Sequence, residues 1–178
     1  MPPLVSIIIP CYDAEPWVAQ TLESALAQTW RNREIILIND GSRDGSLAVA
    51  KRFESRGVRV VDQPNQGASA ARNHGLRLVR GDFIQFLDAD DLLSPAKIER
   101  QLALLAQHPD GAVASCAWGR FRGDPTEARF TDTAAFQDFA PLDFLVLAGE
   151  SGLMMHPSAW LVPRSVTERA GPWDETLS

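Results

Sequence analysis

No window of the chain approaches eighteen uninterrupted apolar residues, and Met1-Pro2-Pro3 lacks a basic segment followed by an apolar stretch. Neither a membrane span nor a secretion signal is therefore visible. The expected location is the cytoplasm, with any attachment to the inner face of the membrane left to segments outside this chain. Cysteine is scarce: Cys11 and Cys116 lie far apart inside apolar runs. That argues against a disulfide framework or a four-ligand zinc site and predicts two buried, reduced thiols. His74, His108 and His156 are isolated from one another, which argues against metal ligation by histidine. Basic residues are outnumbered, 17 against 23, giving a formal charge of -6. A nonspecific nucleic-acid binder needs the opposite sign to neutralise phosphates. A Gly-x-Gly-x-x-Gly fingerprint, a P-loop and a Gly-x-Ser-x-Gly elbow are also missing, so the dinucleotide, P-loop and hydrolase readings lose their main support.

What is present is a core. The chain has 178 residues, 45% of them hydrophobic, enough for one well-buried unit and too few to require two domains. VSIIIP (residues 5–10) and EIILIN (residues 34–39) are continuous apolar runs, as expected for strands covered on both faces. Between them Pro16, then Trp17, Val18, Leu22, Ala25 and Leu26 at helical spacing, predict a helix. The alternation continues with a helix over 46–54, a strand over 58–61, a helix over 68–79 and a strand over 82–87. Next comes a helix capped by Ser94 with Pro95 in its first turn, then a strand over 112–121. Residues 122–138 lose periodicity, before a short helix over 141–147 and a strand over 159–162. The pattern predicts an α/β fold with a mostly parallel central sheet flanked by helices.

In such sheets ligands bind beyond the carboxyl ends of the strands, and three polar clusters fall there. They are PCYD (residues 10–13), NDGSRDG (residues 39–45) and DADD (residues 88–91). In extended chain Asp88 and Asp90 project to one side and Asp91 to the other. Two ionised carboxylates about 4 Å apart repel by about 4 kcal/mol at an effective dielectric near 20. A hard divalent cation such as Mg2+ or Mn2+ relieves that repulsion. The bland alternatives are a solvated turn with Asp91 or Ser94 as a helix cap, and a tight turn at Asp40-Gly41. QGASAARNHG (residues 66–75) reads either as a helix start whose amides and Arg72 meet phosphate oxygens, or as close helix packing with Arg72 on the surface.

In order and spacing, the segments VSIIIPCYDAEPWVAQTLESALAQTW, EIILINDGSRDGS, NQGASAARNHGL, GDFIQFLDADD and GPWDE resemble the family 2 inverting glycosyltransferases of GT-A fold, from Val5 to the chain's end. The resemblance implies a Rossmann-like, nucleotide-diphospho-sugar transferase fold. It implies transfer from a nucleoside-diphosphate sugar, a UDP-sugar being the expected donor, to a saccharide, lipid-linked or protein acceptor hydroxyl with inversion, as in polysaccharide biosynthesis. It further implies base and ribose contacts near Pro10, Tyr12, Asp13, Glu15 and Asp40, and Arg72 near the pyrophosphate. Asp88, Ala89 and Asp90 are then expected at the donor, with Asp88 and Asp90 holding Mn2+ or Mg2+.

Residues 1–121 are expected to form the nucleotide-sugar-binding half of one GT-A domain and 122–178 a partial acceptor half, with Met154, Met155 and His156 as acceptor candidates or core. The family's base usually follows several residues after a segment like GPWDE, so the general base is expected beyond Ser178, with the chain truncated before it. Asp174 and Glu175 are then loop or helix caps. The alternatives are a sugar nucleotidyltransferase, which calls for a glycine-rich basic loop after the first strand, and a catalytically silent nucleotide-binding or interaction domain.

Overall fold

Residues 5–11 form β1 (Val5–Cys11), and all seven side chains are buried, as an uninterrupted apolar run requires when helices cover both faces of a sheet. The computed structural model describes residues 1–108, 111–130, 137–151 and 156–177. After β1 come α1 (Val18–Leu26), β2 (Arg33–Asp40), α2 (Ser46–Lys51), β3 (Val58–Gln63), α3 (Ala68–Leu78), β4 (Phe83–Phe86) and α4 (Lys97–Leu105). The remainder adds β5 (Gly119–Arg120), β6 (Arg129–Phe130), α5 (Pro141–Ser151), β7 (Leu161–Pro163) and α6 (Arg164–Ala170).

The main sheet has the order β3-β2-β1-β4-β7. Its first four strands are parallel, and β7 joins β4 antiparallel. Alternate side chains serve opposite faces. Ile7, Ile9, Ile35 and Leu37 pack with Val18, Leu22 and Ala25 of α1 and with Ile98, Leu102 and Leu105 of α4. Ile8, Ile84 and Phe86 form a second cluster with Leu76 and Val79, and Ile36 and Ile38 a third with Ala71. The small residues of α3 permit this second layer: a Cβ on Gly75 would lie 2.4 Å from Ile8 Cγ2. The chain order reverses between β1 and β4, and a crevice is expected at that switch point.

Several boundaries differ from the sequence expectation. The 46–54 helix ends at Lys51, and residues 54–56 form a separate 3₁₀ turn before Gly57. α4 starts at Lys97 with Ala96 in the capping position. Ser94 contributes its backbone instead, its carbonyl accepting from Lys97 N–H at 3.0 Å and from Gln28 Nε2 at 2.9 Å. The 112–121 strand reduces to one bridge between Ala114 and Leu161 plus the two residues of β5. Its neighbour β7 has only three residues, and the Ala114 carbonyl accepts both from Leu161 N–H at 2.8 Å and from the buried Gln101 Nε2 at 2.9 Å. Cys116, in this loosened segment, is accordingly half-buried, while Cys11 is buried; both are free thiols.

Candidate functional site

Pro10 and Cys11 close β1, Asn39 and Asp40 close β2, and Gln63 closes β3 in register with Asp40. Phe86 pairs with Ile8, so the acids that follow β4 emerge beside the end of β1. Between these ends lies a cleft of about 340 Å³. Pro10, Tyr12, Asp13, Asp40, Arg72, Asp88, Ala89 and Asp90 all line it; Glu15, of the nine expected donor contacts, does not. A larger hollow of about 630 Å³ between Phe83, Leu105, Pro163 and Arg169 sits at the opposite end of β4. It receives none of the strand-end clusters, so the smaller cleft carries the functional reading.

Asp40 forms the floor. It is buried, and Oδ1 accepts from Gln63 Nε2 at 2.7 Å and Gln66 N–H at 2.9 Å, while Oδ2 accepts from Gly67 N–H at 2.8 Å. Three of a carboxylate's roughly four acceptor positions are thereby filled, and the one remaining is on Oδ2. The same carboxylate fixes the start of α3, since Gly67 precedes Ala68. Gly41 lets β2 turn away: its φ is +68°, and a Cβ there would lie 2.7 Å from Asn65 N. Because Gln63 donates through Nε2, its Oε1 accepts from His74 Nδ1 at 2.6 Å, which fixes the proton on that ring nitrogen. Burial, aided by the charges of Arg77 and Arg59, lowers the His74 pKa.

The rim is a clasp between two loops. Asp13, with φ +45°, accepts from Arg43 N–H at 2.7 Å. Glu15 accepts from Gly45 N–H at 2.8 Å and donates its own N–H to Asp44. Glu15 therefore shapes the wall from behind. Arg43 bonds the Tyr12 hydroxyl and lies 5.7 Å over its ring. Trp17, half exposed, also lines the cleft; sequence reasoning assigned it to the helix pattern because its spacing is helical.

Arg72 is drawn inward, not left on the surface. Its Nη2 lies 2.7 Å from Asp88 Oδ1, its guanidinium sits 4.9 Å over the Trp173 ring, and its Nε is buried with no acceptor among the described residues. Trp173 is held by Asn73, whose Oδ1 accepts from Trp173 N–H at 2.8 Å and whose Nδ2 donates to the Trp173 carbonyl and to Glu175. The late GPWDE segment thus buttresses the arginine. Asp174 accepts from Thr176 N–H and Oγ1, which lowers its pKa and makes it a turn cap.

The side-alternation expected for the acids is replaced by a turn. Asp91 N–H donates to Asp88 C=O at 3.0 Å, closing residues 88–91, so extended geometry ends at Phe86. Asp90 is exposed, and Asp91 turns back to accept from Ser158 Oγ at 2.5 Å. Burial raises the Asp91 pKa against that hydrogen bond, and the charges of Asp88 and Asp90 raise it further. Among the described residues no group of three or more His, Cys, Asp or Glu gathers around a common point. Asp90 together with the second oxygen of Asp88 suits a magnesium-type ion, which keeps water and substrate oxygens and needs only one or two protein carboxylates. Met154 and Met155 lie outside the described residues. His156 packs edge-to-face on Trp118, with ring centroids 4.7 Å apart.

The family model described as Glycosyl transferase family 2 matches residues 6–170. The chain belongs to glycosyl transferase family 2. An uncharacterized glycosyltransferase of Rickettsia typhi is 40% identical over 176 residues, covering 98% of this chain and 55% of that protein. The uncharacterized glycosyltransferase EpsJ of Bacillus subtilis is 45% identical over 102 residues, covering 56% and 30%. The chain spans about half the length, or less, of such family 2 relatives. In fold it is similar to S. aureus TarS in complex with UDP, with TM-score 0.77 and 18% identity over 97% of this chain and 51% of that one. A mannosyltransferase of Pyrobaculum calidifontis in complex with GDP-Man and Mn2+ gives TM-score 0.72 and 20% identity, covering 97% and 48%. The family 2 sheet described above is of the GT-A type. No described helix is long and apolar enough to cross a membrane.

Proposed function

We propose that this chain is the donor-binding part of a metal-dependent, inverting glycosyltransferase that takes its sugar from a nucleoside diphosphate. The observation that carries the reading is the convergence in one cleft of Asp40 from the end of β2, Arg72 from α3, and Asp88 and Asp90 from the turn after β4. Family membership and the UDP and GDP-Man bound by the two structural neighbours support it.

In this reading the nucleoside lies between Tyr12 and the Asp40 floor, where the remaining acceptor position of Oδ2 meets a base or ribose donor. The diphosphate lies toward Arg72, whose buried Nε–H is a donor without a partner among the described residues. A divalent cation held by Asp90 and Asp88 would supply charge compensation for the departing diphosphate. The bond between the anomeric carbon and the diphosphate oxygen breaks as the acceptor oxygen bonds to the opposite face, and the acceptor's proton passes to a carboxylate base. Asp174 is a poor base because its carboxylate already accepts two hydrogen bonds from Thr176. A sugar nucleotidyltransferase is disfavoured because the loop after β1, residues 12–17, contains no glycine and no basic residue.

The reading is tested by equilibrium binding of UDP, GDP, UMP and GMP with Mn2+ present. A diphosphate is expected to bind about tenfold or more tightly than its monophosphate, as one charge-assisted contact allows. Equal affinities would remove the pyrophosphate seat.

A further inference from the structure

The turn bearing Asp88 and Asp90 is gripped from a part of the chain 70 residues away. The Ser158 hydroxyl accepts from Asp88 N–H at 3.1 Å and donates to Asp91 Oδ2 at 2.5 Å. One buried hydroxyl thus bridges the first and last residues of the turn, using its single donor and one acceptor position. Behind it the Ser158 carbonyl accepts from Gln85 Nε2 at 3.0 Å, and Gln85 Oε1 accepts from Lys97 Nζ. Lys97 also donates to Gln101 Oε1 at 2.7 Å, and Gln101 Nε2 donates to the Ala159 carbonyl at 2.9 Å.

Gln85, Lys97 and Gln101 are all buried, and none of them lines the donor cleft. No described carboxylate pairs with Lys97. A buried ammonium without a counter-ion is costly, and a buried network is worth keeping only when its members are satisfied. The contacts of this one reach the backbone of Ser158 and Ala159, and also the Phe86 and Ala114 carbonyls that flank them.

We propose that Ser158 is a positioning residue for metal binding: its hydroxyl sets the Asp88 and Asp90 carboxylates by bridging the ends of their turn, and the Gln85–Lys97–Gln101 network holds Ser158 in place. The inference rests on the reading of the turn as a diphosphate-metal seat. A hydroxyl that orients ligands without touching the ion is the kind of outer contact that tunes metal affinity.

Mn2+ is titrated, with UDP present and free Mn2+ followed by electron paramagnetic resonance, into the wild-type chain, Ser158→Ala and Ser158→Thr. UDP binding without metal and the thermal midpoint are measured in parallel. Ser158→Ala is expected to weaken Mn2+ binding about tenfold with metal-free UDP affinity changed less than about twofold, and Ser158→Thr to recover wild-type Mn2+ affinity within about threefold. If the alanine variant does not fold, Ser158→Cys, which keeps the size and weakens both hydrogen bonds, is expected to show the same selective loss. Unchanged Mn2+ affinity in the variant, or an equal loss of metal-free UDP binding, overturns the role of Ser158 and leaves the donor seat standing. A wild-type chain that binds no Mn2+ with UDP overturns the donor seat as well.

Discussion

Leu37 on β2 is fully buried between two helices, whereas Leu142 and Leu145 on α5 are 70% and 65% exposed. The two regions they represent do different work. Residues 5–105 carry the dense core that fixes the strand ends, and with them the floor and walls of the cleft. Among the described residues from 111 to 177, Ala114 and Leu161 complete that core, while Ser158 meets the acidic turn and Trp173 meets Arg72. Stability should therefore be concentrated in the first region, while Ser158 and Trp173 of the second should affect ligand binding more than folding.

The sharpest way to break this contrast is a pair of truncations followed by denaturant unfolding. Leu37→Ala is expected to cost about 2–5 kcal/mol, the range for a buried leucine. Leu145→Ala should stay within about 0.5 kcal/mol, as for an exposed site. Equal losses would mean that α5 is as much a part of the core as β2.

A second test uses pH. Burial pushes the Lys97 ammonium down to about 8 from an ordinary 10.5. Between those values the unfolded chain holds a proton that the folded chain has released, so raising the pH favours the folded state. The stability of wild type relative to Lys97→Met should therefore rise between about pH 8 and pH 10.5 and be level below pH 7. Taking the difference between the two proteins removes the opposing contribution of Cys11, whose thiol burial pushes up to about 11. A flat difference would show that Lys97 is not held dry between α4 and β4.

A smaller effect is expected from the second region. Trp173→Ala removes the ring beneath Arg72, a contact worth about 1–2 kcal/mol when partly desolvated. Diphosphate affinity should fall about tenfold, and monophosphate affinity much less. A loss of folding stability without this selectivity would make Trp173 a core residue and nothing more.

The contrast also explains what could be read from the chain alone. The runs at 5–10 and 34–39 are legible because a strand covered on both faces has no polar positions, and the clusters that close them must then share a rim. Asp88 and Asp90 were visible, but the turn that presents them was not: its i to i+3 bond depends on what receives Asp91, and Ser158 lies 67 residues on. Glu15 sits among rim residues in sequence yet points its carboxylate at Gly45 N–H, a pairing between loops that spacing along one segment does not encode. Ser94 is a good capping residue by type, but the turn that closes on its carbonyl delays the cap of α4 by two residues, to Ala96. Trp173 carried a family signature without a visible partner, because Asn73 and Arg72 meet it only after α3 has packed.

The central claim is tested most directly by calorimetric titration of UDP and GDP into the folded chain with and without Mn2+, in wild type, Asp88→Asn, Asp90→Asn and Asp91→Asn. The account predicts Mn2+-dependent binding of at least one nucleotide, weakened about 30-fold by loss of the charge at 88 or 90 and only a few-fold at 91, where an amide still accepts from Ser158. Absence of binding by a folded wild-type chain, or equal losses at all three positions, would contradict it.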